Sequence, residues 1–231
     1  MTTPENRLIE LLPDTERRRL LAICEPHPLV LAEALSEPDT PTLHVYFPTQ
    51  GFISLISRVD LHPGLEVGMV GREGMLGVHV ALGASISPLH AVVQGPGTAW
   101  RIEVAPFRRE LARSPPLQRS VERYVHALMV QLAASAACLR FHLIGPRLAR
   151  WLLMSQDRAQ SDRFHMTHEF LAYMLGVRRV GVTTAAGVLQ RAGLIDYHRG
   201  ELHVTDRAGL EAAACSCYAA DCRARVSAEA A

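Results

Sequence analysis

Residues 167–195 read THEFLAYMLGVRRVGVTTAAGVLQRAGLI, and their spacing predicts two short helices joined by a tight turn. Thr167 is of the type that caps a helix, because its hydroxyl can accept from an unpaired N–H of the first turn. Phe170, Leu171, Met174 and Leu175 then recur on one helical face. Gly176 suits the left-handed residue that ends a helix, and Val177 plugs the turn. A second helix is expected from about Arg178 to Arg191, with Val182, Ala185, Ala186, Val188 and Leu189 turned inward. Small residues at 172 and 185 let two crossing helices approach, as a helix-turn-helix requires. The outward set is Arg178, Arg179, Val180, Thr183 and Thr184. Two readings follow: a packed helix pair with a solvated arginine face, or a surface aimed at nucleic acid. In the second, the start of the second helix meets base edges in a major groove. An arginine there can bond guanine O6 and N7 together, while threonine hydroxyls and the helix N-terminus suit phosphate.

The neighbouring segments favour the second reading. Residues 194–204, LIDYHRGELHV, read as two short strands about a turn at His198, Arg199 and Gly200, a wing that would reach flanking phosphate. Thr205 or Asp206 caps a last helix, RAGLEAAACSCYA. Upstream, GPRLARWLLMSQDRA (145–159) is an amphipathic helix, followed by the polar break QSDRFHM. Before it, LQRSVERYVHALMVQLAASAACLRF (117–141) is a long helix in which Leu117, Val121, Tyr124, Leu128, Gln131 and Ser135 repeat at 4-3-4-3-4 spacing, widened by Val125 and Leu132. Such a seam suits a second copy of the chain; the alternative is a helix lying on its own β domain. From Leu29 to Val104 the texture is β: HVYFP, GFISLIS, LEVGMVG, HAVVQ and TAWRIEV alternate with turn residues, FPTQG and QGPGT among them. Residues 5–24 read as short helices, the second capped by Asp14 or Thr15.

Composition sets the bounds. The chain has 231 residues, 48% of them hydrophobic, enough for one large domain or two small ones. Its net charge of +1 conceals an asymmetry: residues 1–113 hold ten Arg against thirteen Asp and Glu, residues 147–210 nine against six. All 24 basic residues are arginine. There is no run of eighteen apolar residues, so no membrane span is expected, and the polar N-terminus does not read as a signal peptide. Five cysteines without such a signal suggest reduced thiols in a cytoplasmic protein. Disorder is expected only after Arg225.

The segments HVYFPTQGFISL (44–55), VGREGMLG (70–77), RLARWLLMSQDR (147–158) and FLAYMLGVRRVGVTTAAGVLQRAGLI (170–195) give the whole chain a resemblance to the Crp/Fnr superfamily of bacterial transcription regulators. The resemblance implies an α+β fold: a cupin-like β-roll (jelly-roll) sensor domain at 1–113, a dimerisation helix at 114–138 and a winged helix-turn-helix at 139–231. It implies a homodimer on double-stranded DNA with two-fold-related half-sites, contact with RNA polymerase, and a small-molecule effector. The implied dimer interface is Leu117, Val121, Tyr124, Val125, Leu128 and Leu132. Implied DNA-binding positions are Thr167, Arg178, Arg179, Val180, Gly181, Thr183, Thr184, His198 and Arg199. Members commonly read bases with an Arg-Glu pair and a further Arg one turn on. Here Arg179 matches the first, whereas Val180 and Thr184 replace the others, so the family's usual target is not expected. The effector pocket would involve Arg72, Glu73, His90 and Tyr124. Cyclic-nucleotide binders follow their Gly-Glu-x-Gly with an arginine before Ser/Thr-Ala; here His90 precedes Ala91, and a phosphate would lack its strongest partner. Cyclic AMP is therefore not expected as ligand.

No cofactor, metal or catalytic residue is expected. Iron–sulfur sensing by closely spaced N-terminal cysteines finds only Cys24, and haem would need an axial ligand from the scattered His44, His62, His79 and His90. Cys215, Cys217 and Cys222 lack the C-x₂-C spacing of zinc sites, and no histidine follows them. By spacing, Cys215 and Cys222 could share a helix face with Cys217 pointing elsewhere. No phosphate loop, H-E-x-x-H or G-x-S-x-G occurs. The remaining alternatives are a metal-dependent cupin-type enzyme with an accessory helical domain, and a ligand-independent DNA-binding dimer.

Overall fold

A computed structural model describes residues 6–60 and 64–229. The chain opens with two short helices, α1 (Arg7–Glu10) and α2 (Asp14–Leu21), the second preceded by Pro13 at the cap with no side-chain hydrogen bond. Five strands follow: β1 (Glu25–Leu29), β2 (Ala34–Ser36), β3 (His44–Ser57), β4 (Leu65–Val70) and β5 (His90–Glu103). All pairings are antiparallel, in the order β1-β5-β3-β4, with β2 also on β5. HVYFP and GFISLIS are not separate strands, nor are HAVVQ and TAWRIEV. Each pair forms one fourteen-residue strand, β3 or β5, bent where the register shifts between Pro48 and Ile53. Gly51 makes the bend possible: at φ +75° a Cβ would lie 2.2 Å from the Gly95 carbonyl oxygen. FPTQG and QGPGT thus bend a continuous ladder. The bend rolls the sheet over, so β3 is buried on both faces, with Val45, Phe47, Phe52, Ile53 and Ile56 almost wholly enclosed.

Helix α3 (Val104–Arg113) leads to the long α4 (Pro115–Phe141), whose N-terminus is capped by Ser114 accepting from the Leu117 N–H at 3.4 Å. By length and mean hydropathy (1.3 over its most apolar eighteen residues), α4 would suffice to cross a membrane. Part of its apolar surface is buried in the fold. Leu117, Val121 and Tyr124 are buried in a core with Phe47, Met75 and Phe107 of their own β domain. Gln131 accepts from the Met69 N–H at 2.7 Å. The expected dimer seam is therefore largely spent inside the chain, with Leu128 half-buried against it. A more open stripe lies one residue on: Met129, 63% exposed, and Ala136 face outward, and Val125 and Leu132 of the expected interface are half-buried beside them. Its 4-3-4 spacing is the same, because a helix buried on one face leaves the adjacent face with the same period.

The remaining elements are α5 (Ile144–Ala159), β6 (Arg163–His165), α6 (His168–Leu175), α7 (Arg179–Arg191), β7 (Ile195–His198), β8 (Glu201–Val204), α8 (Arg207–Ala213) and α9 (Cys217–Glu229). The strands form a second sheet, β6-β8-β7. Residues 163–165, read from sequence as a polar break, supply its third strand with Phe164 buried; three residues are too few to show a period. The expected single last helix is two, broken at Ala214–Ser216, and the chain remains helical past Arg225 to Glu229. Asp206 caps α8 by accepting from the Gly209 N–H at 2.9 Å.

Helix α5 joins the two halves. Leu148, Ala149, Leu152 and Leu153 are fully buried in a core that runs from Phe52, Ile56 and Met69 of the roll to the helices and strands downstream. Burying each leucine stabilises by roughly 1.5–3 kcal/mol. Polar groups on α5 are tied to both halves. Arg158 Nε donates to Glu73 at 2.7 Å, Arg150 to Asp221 of α9 at 2.6 Å, and Arg147 to the Leu175 carbonyl that ends α6. Trp151 Nε1 donates to Glu66 of β4 at 2.8 Å, and Ser54 donates to the other oxygen of that carboxyl at 2.5 Å.

Burial pushes the Glu66 carboxyl up to about 7 from an ordinary 4.5, against the opposing hydrogen bonds from Ser54 and Trp151. The folded chain thus holds a proton that the unfolded chain releases near pH 4.5. Glu66 makes its full contribution to stability below that pH and loses it as pH rises to about 7. Glu66→Gln cannot ionise, so urea unfolding should find it more stable than the parent at pH 8 by on the order of 2–3 kcal/mol and nearly equal at pH 4.5. An equal gap at both pH values would place the effect outside this titration.

Candidate nucleic-acid interface

The turn between α6 and α7 is built locally. The Thr167 hydroxyl accepts from the Phe170 N–H at 3.1 Å and starts α6. Gly176, at φ +61°, ends it, and the Val177 N–H returns to the Ala172 carbonyl at 3.0 Å. Leu171, Met174 and Leu175 of α6 face Val182, Ala185, Ala186 and Leu189 of α7 in the common core, with Phe170 half-buried. Val188, expected inward, is 52% exposed. Arg178 is the cap residue rather than the first helical one; α7 begins at Arg179.

Arg178, Arg179 and Val180 stand exposed at the start of α7. Among the described residues neither arginine has a carboxylate partner, in contrast to the buried, paired Arg150 and Arg158. Two guanidiniums at a helix N-terminus without counter-charge form an anion-seeking surface. The same turn lines one wall of an open cleft of about 1090 Å³, whose other wall includes Ser57, Val59 and Leu65 of the roll. The other expected contacts sit unevenly. The Thr183 and Thr184 hydroxyls donate to the Arg179 and Val180 carbonyls at 3.1 and 3.0 Å, so both are engaged within α7. Gly181 is half-buried; its N–H bonds the Arg178 carbonyl, and a Cβ there would come within 2.7 Å of Ile144. Gly181 therefore packs against the α4–α5 joint. His198 and Arg199 are exposed at the wing tip, where Arg199 (φ +50°) and Gly200 (φ +88°) make the turn between β7 and β8.

His168 has a role that the sequence did not suggest. Its ring stacks on Tyr197 of the wing at 4.5 Å, and its Nδ1 lies 3.0 Å from the Thr183 hydroxyl. Burial, with the nearby Arg179 charge, lowers its pKa and favours the neutral ring. One side chain thereby locks α6, α7 and wing in fixed relation. The Tyr197 hydroxyl adds a bond to the Met166 carbonyl at 2.7 Å.

The four residues expected to form an effector pocket do not meet. Arg72 pairs with Glu10 at 2.9 Å, and His90 with Glu37 at 3.0 Å. Glu73 is held by Arg158. Only Glu73 and Tyr124 share a space, a cavity of about 20 Å³ closed by Leu128, Gln131, Asp221 and Arg225. That volume admits a water molecule, whereas a small-molecule site takes roughly 300–1,000 Å³. Asp221 and Arg225 belong to α9. The His44 ring lies tilted beside Tyr46 at 6.2 Å, and His79 bonds Thr42 at 2.8 Å, so they and His90 have separate partners; His62 lies outside the described residues.

Comparison with known proteins agrees with this geometry. Residues 146–213, from α5 to α8, match the Crp-like helix-turn-helix domain. A Crp/Fnr-family transcriptional regulator from Eubacterium rectale superposes with a TM-score of 0.70 at 15% identity, covering 90% of this chain and 98% of its own. FixK2 from Bradyrhizobium japonicum gives 0.69 at 13% identity, covering 84% and 98%. The c-di-GMP responsive global regulator CLP from Xanthomonas campestris gives 0.62 at 17%, covering 83% and 99%. At these identities the likeness is one of fold. No curated protein sequence matches the chain.

The paired exposure of Arg178 and Arg179 yields a distinguishing test. Arg179→Ala should cost about 1–3 kcal/mol on a preferred duplex and relax specificity at one base pair, read by fluorescence anisotropy against a panel of single-base variants. An equal loss on every sequence would make Arg179 a phosphate contact.

Proposed function

We propose that this chain, which has the Crp/Fnr-type fold and carries a Crp-like helix-turn-helix domain, regulates transcription as a homodimer on a two-fold-related DNA site. The observation that carries the reading is the exposed, unpaired Arg178–Arg179 turn at the start of α7, flanked by the wing. Arg179 is the base reader; Arg178, His198 and Arg199 supply phosphate contacts, with Thr167 at the start of α6. Val180 is exposed and offers an apolar contact, such as a thymine methyl group. Thr183, Thr184 and Gly181 support the reading helix, since their polar groups or packing are engaged at home. The metal-dependent enzyme reading is set aside: Crp/Fnr-type regulators are not enzymes, and the histidines of the roll have separate partners.

The domain division follows the same reading: a β-roll through Arg113, a connecting helix, and a winged-helix unit from the α4–α5 joint onward. The second copy docks on the open stripe Val125, Met129, Leu132 and Ala136. On a two-fold-related site, the two reading helices of such a dimer lie about one DNA turn apart. Work on DNA and through RNA polymerase places the protein in the cytoplasm.

A ligand-independent mode has a specific observation in its favour. Of the residues that the resemblance assigns to an effector pocket, Glu73 and Tyr124 line a cavity of about 20 Å³ that is shared with Asp221 and Arg225 of α9. Cyclic AMP added in calorimetry should give no binding heat; low-micromolar affinity would require α9 to leave. The regulatory reading itself is tested by selecting bound duplexes from random DNA. Selected sites should be two-fold-related, and Met129→Glu should both dissociate the dimer in sedimentation and abolish selection. Recovery of unrelated sequences, or two-fold sites bound equally by a monomeric variant, would overturn it.

A further inference from the structure

Cys138 and His142 stand one turn apart at the C-terminal end of α4, and Cys215 and Cys217 flank Ser216 in the link between α8 and α9. The fold brings all four together. The Cys138 and Cys215 sulfurs are 3.5 Å apart, and Cys217 Sγ is 3.6 Å from His142 Nδ1. All four ligand atoms lie within 4.8 Å of one another, with the three cysteines buried and the histidine half-buried. The pairing expected from sequence does not occur. Cys215 joins Cys217, whereas Cys222 stands apart and accepts from Arg225 at 3.2 Å.

We propose that Cys138, His142, Cys215 and Cys217 bind one zinc-class divalent cation. Zinc at about 2.3 Å from sulfur and about 2.0–2.1 Å from nitrogen, in tetrahedral geometry, holds its ligands about 3.4–3.8 Å apart. The two closest pairs already have that spacing, and small side-chain rotations bring in the rest. Three thiolates and an imidazole are soft ligands that favour zinc over magnesium or calcium. Four protein ligands leave no open position, which is the pattern of a structural rather than a catalytic ion. With all four ligand atoms within 4.8 Å of one another, the site has room for one ion rather than a multi-iron cluster. On binding, the three S–H bonds give way to three S–metal bonds, and their protons pass to solvent. His142 supplies the lone pair of Nδ1 and keeps its proton on Nε2. The site then carries a net charge of −1, and the guanidiniums of Arg147 and Arg150 are within electrostatic reach to offset it.

The location gives the ion a mechanical role. His142 and Leu143 form the joint between α4 and α5, and the Cys215 N–H bonds the Pro146 carbonyl at 3.4 Å. A bound cation therefore staples the root of α9 to the joint between the roll and the DNA-reading half. It also accounts for the helix break at Ala214–Ser216, which turns Cys215 and Cys217 toward α4.

The test uses the full chain, purified under reducing conditions and supplied with zinc. Metal analysis should find one zinc per chain, and cobalt(II) in its place should show tetrahedral d–d bands with sulfur-to-metal charge transfer. Cys138→Ser and His142→Ala should lower zinc affinity by more than the roughly 10–100-fold that loss of an outer-shell partner costs, while Cys222→Ser retains it. An octahedral or absent cobalt spectrum in the unmutated chain would overturn the proposal even if the variants fail to fold. So would unchanged zinc content in Cys138→Ser, or an intact mass showing a Cys138–Cys215 disulfide in the reduced, zinc-supplied protein.

Discussion

The architecture turns on the buried ion pair between Arg158, at the end of α5, and Glu73, in the tight loop after β4. Arg158 is 2% exposed, and an uncompensated charge at that depth would cost several kcal/mol. Each partner therefore holds the other in place, and with them the roll is held to the helix that organises the DNA-reading half. The pair also engages a carboxylate that the family resemblance assigns to the effector pocket. Glu73 accepts from Arg158 and from the Gly71 N–H at 3.3 Å, both at Oε1.

The rest of α5 extends the same scheme. Arg150 reaches Asp221, and Asp157 receives Arg207 at 2.8 Å and Arg225 at 2.6 Å. Burial alone would raise the Asp157 carboxyl; Arg225 and Arg207 hold it below the usual range. Helix α9 is thereby fastened along α4 and α5 by charge as well as by packing. The arginines divide into two populations by burial. Arg150 and Arg158 of α5 and Arg225 of α9 are enclosed and paired with carboxylates, and Arg178 and Arg179 at the start of α7 are exposed without one. That contrast is stronger evidence for a nucleic-acid surface than the small net charge of the chain.

The helix-turn-helix was legible because its signals are local: a capping threonine, one glycine at the turn, and apolar positions at helical spacing. Several other features were not. The two halves of β3 read as separate strands because Gly51 carries a turn signal in a bend that the sheet spans. β6 is too short to have a period. On α4, Leu117, Val121 and Tyr124 carry a good heptad pattern, but their own roll claims them, whereas Val125 and Leu132 of the expected interface stay half-buried. Period alone does not say which of two adjacent faces meets which partner. His168 gave no signal, since stacking on Tyr197 depends on how the wing folds back.

Patterning over ten to twenty residues was sufficient for the helices, the turn at Gly176, the wing hairpin and the assignment of Arg178 and Arg179 to an outer face. These depend on period and on backbone chemistry that each segment carries within itself. Long-range packing decided the rest. It set Asp221 and Arg225 of α9 beside Glu73 and Tyr124, committed Glu73 to Arg158 and gathered Cys138 and His142 with Cys215 and Cys217. Such groupings join positions more than seventy residues apart, so no local window contains them. They exist only once the core around α5 has fixed where each element lies.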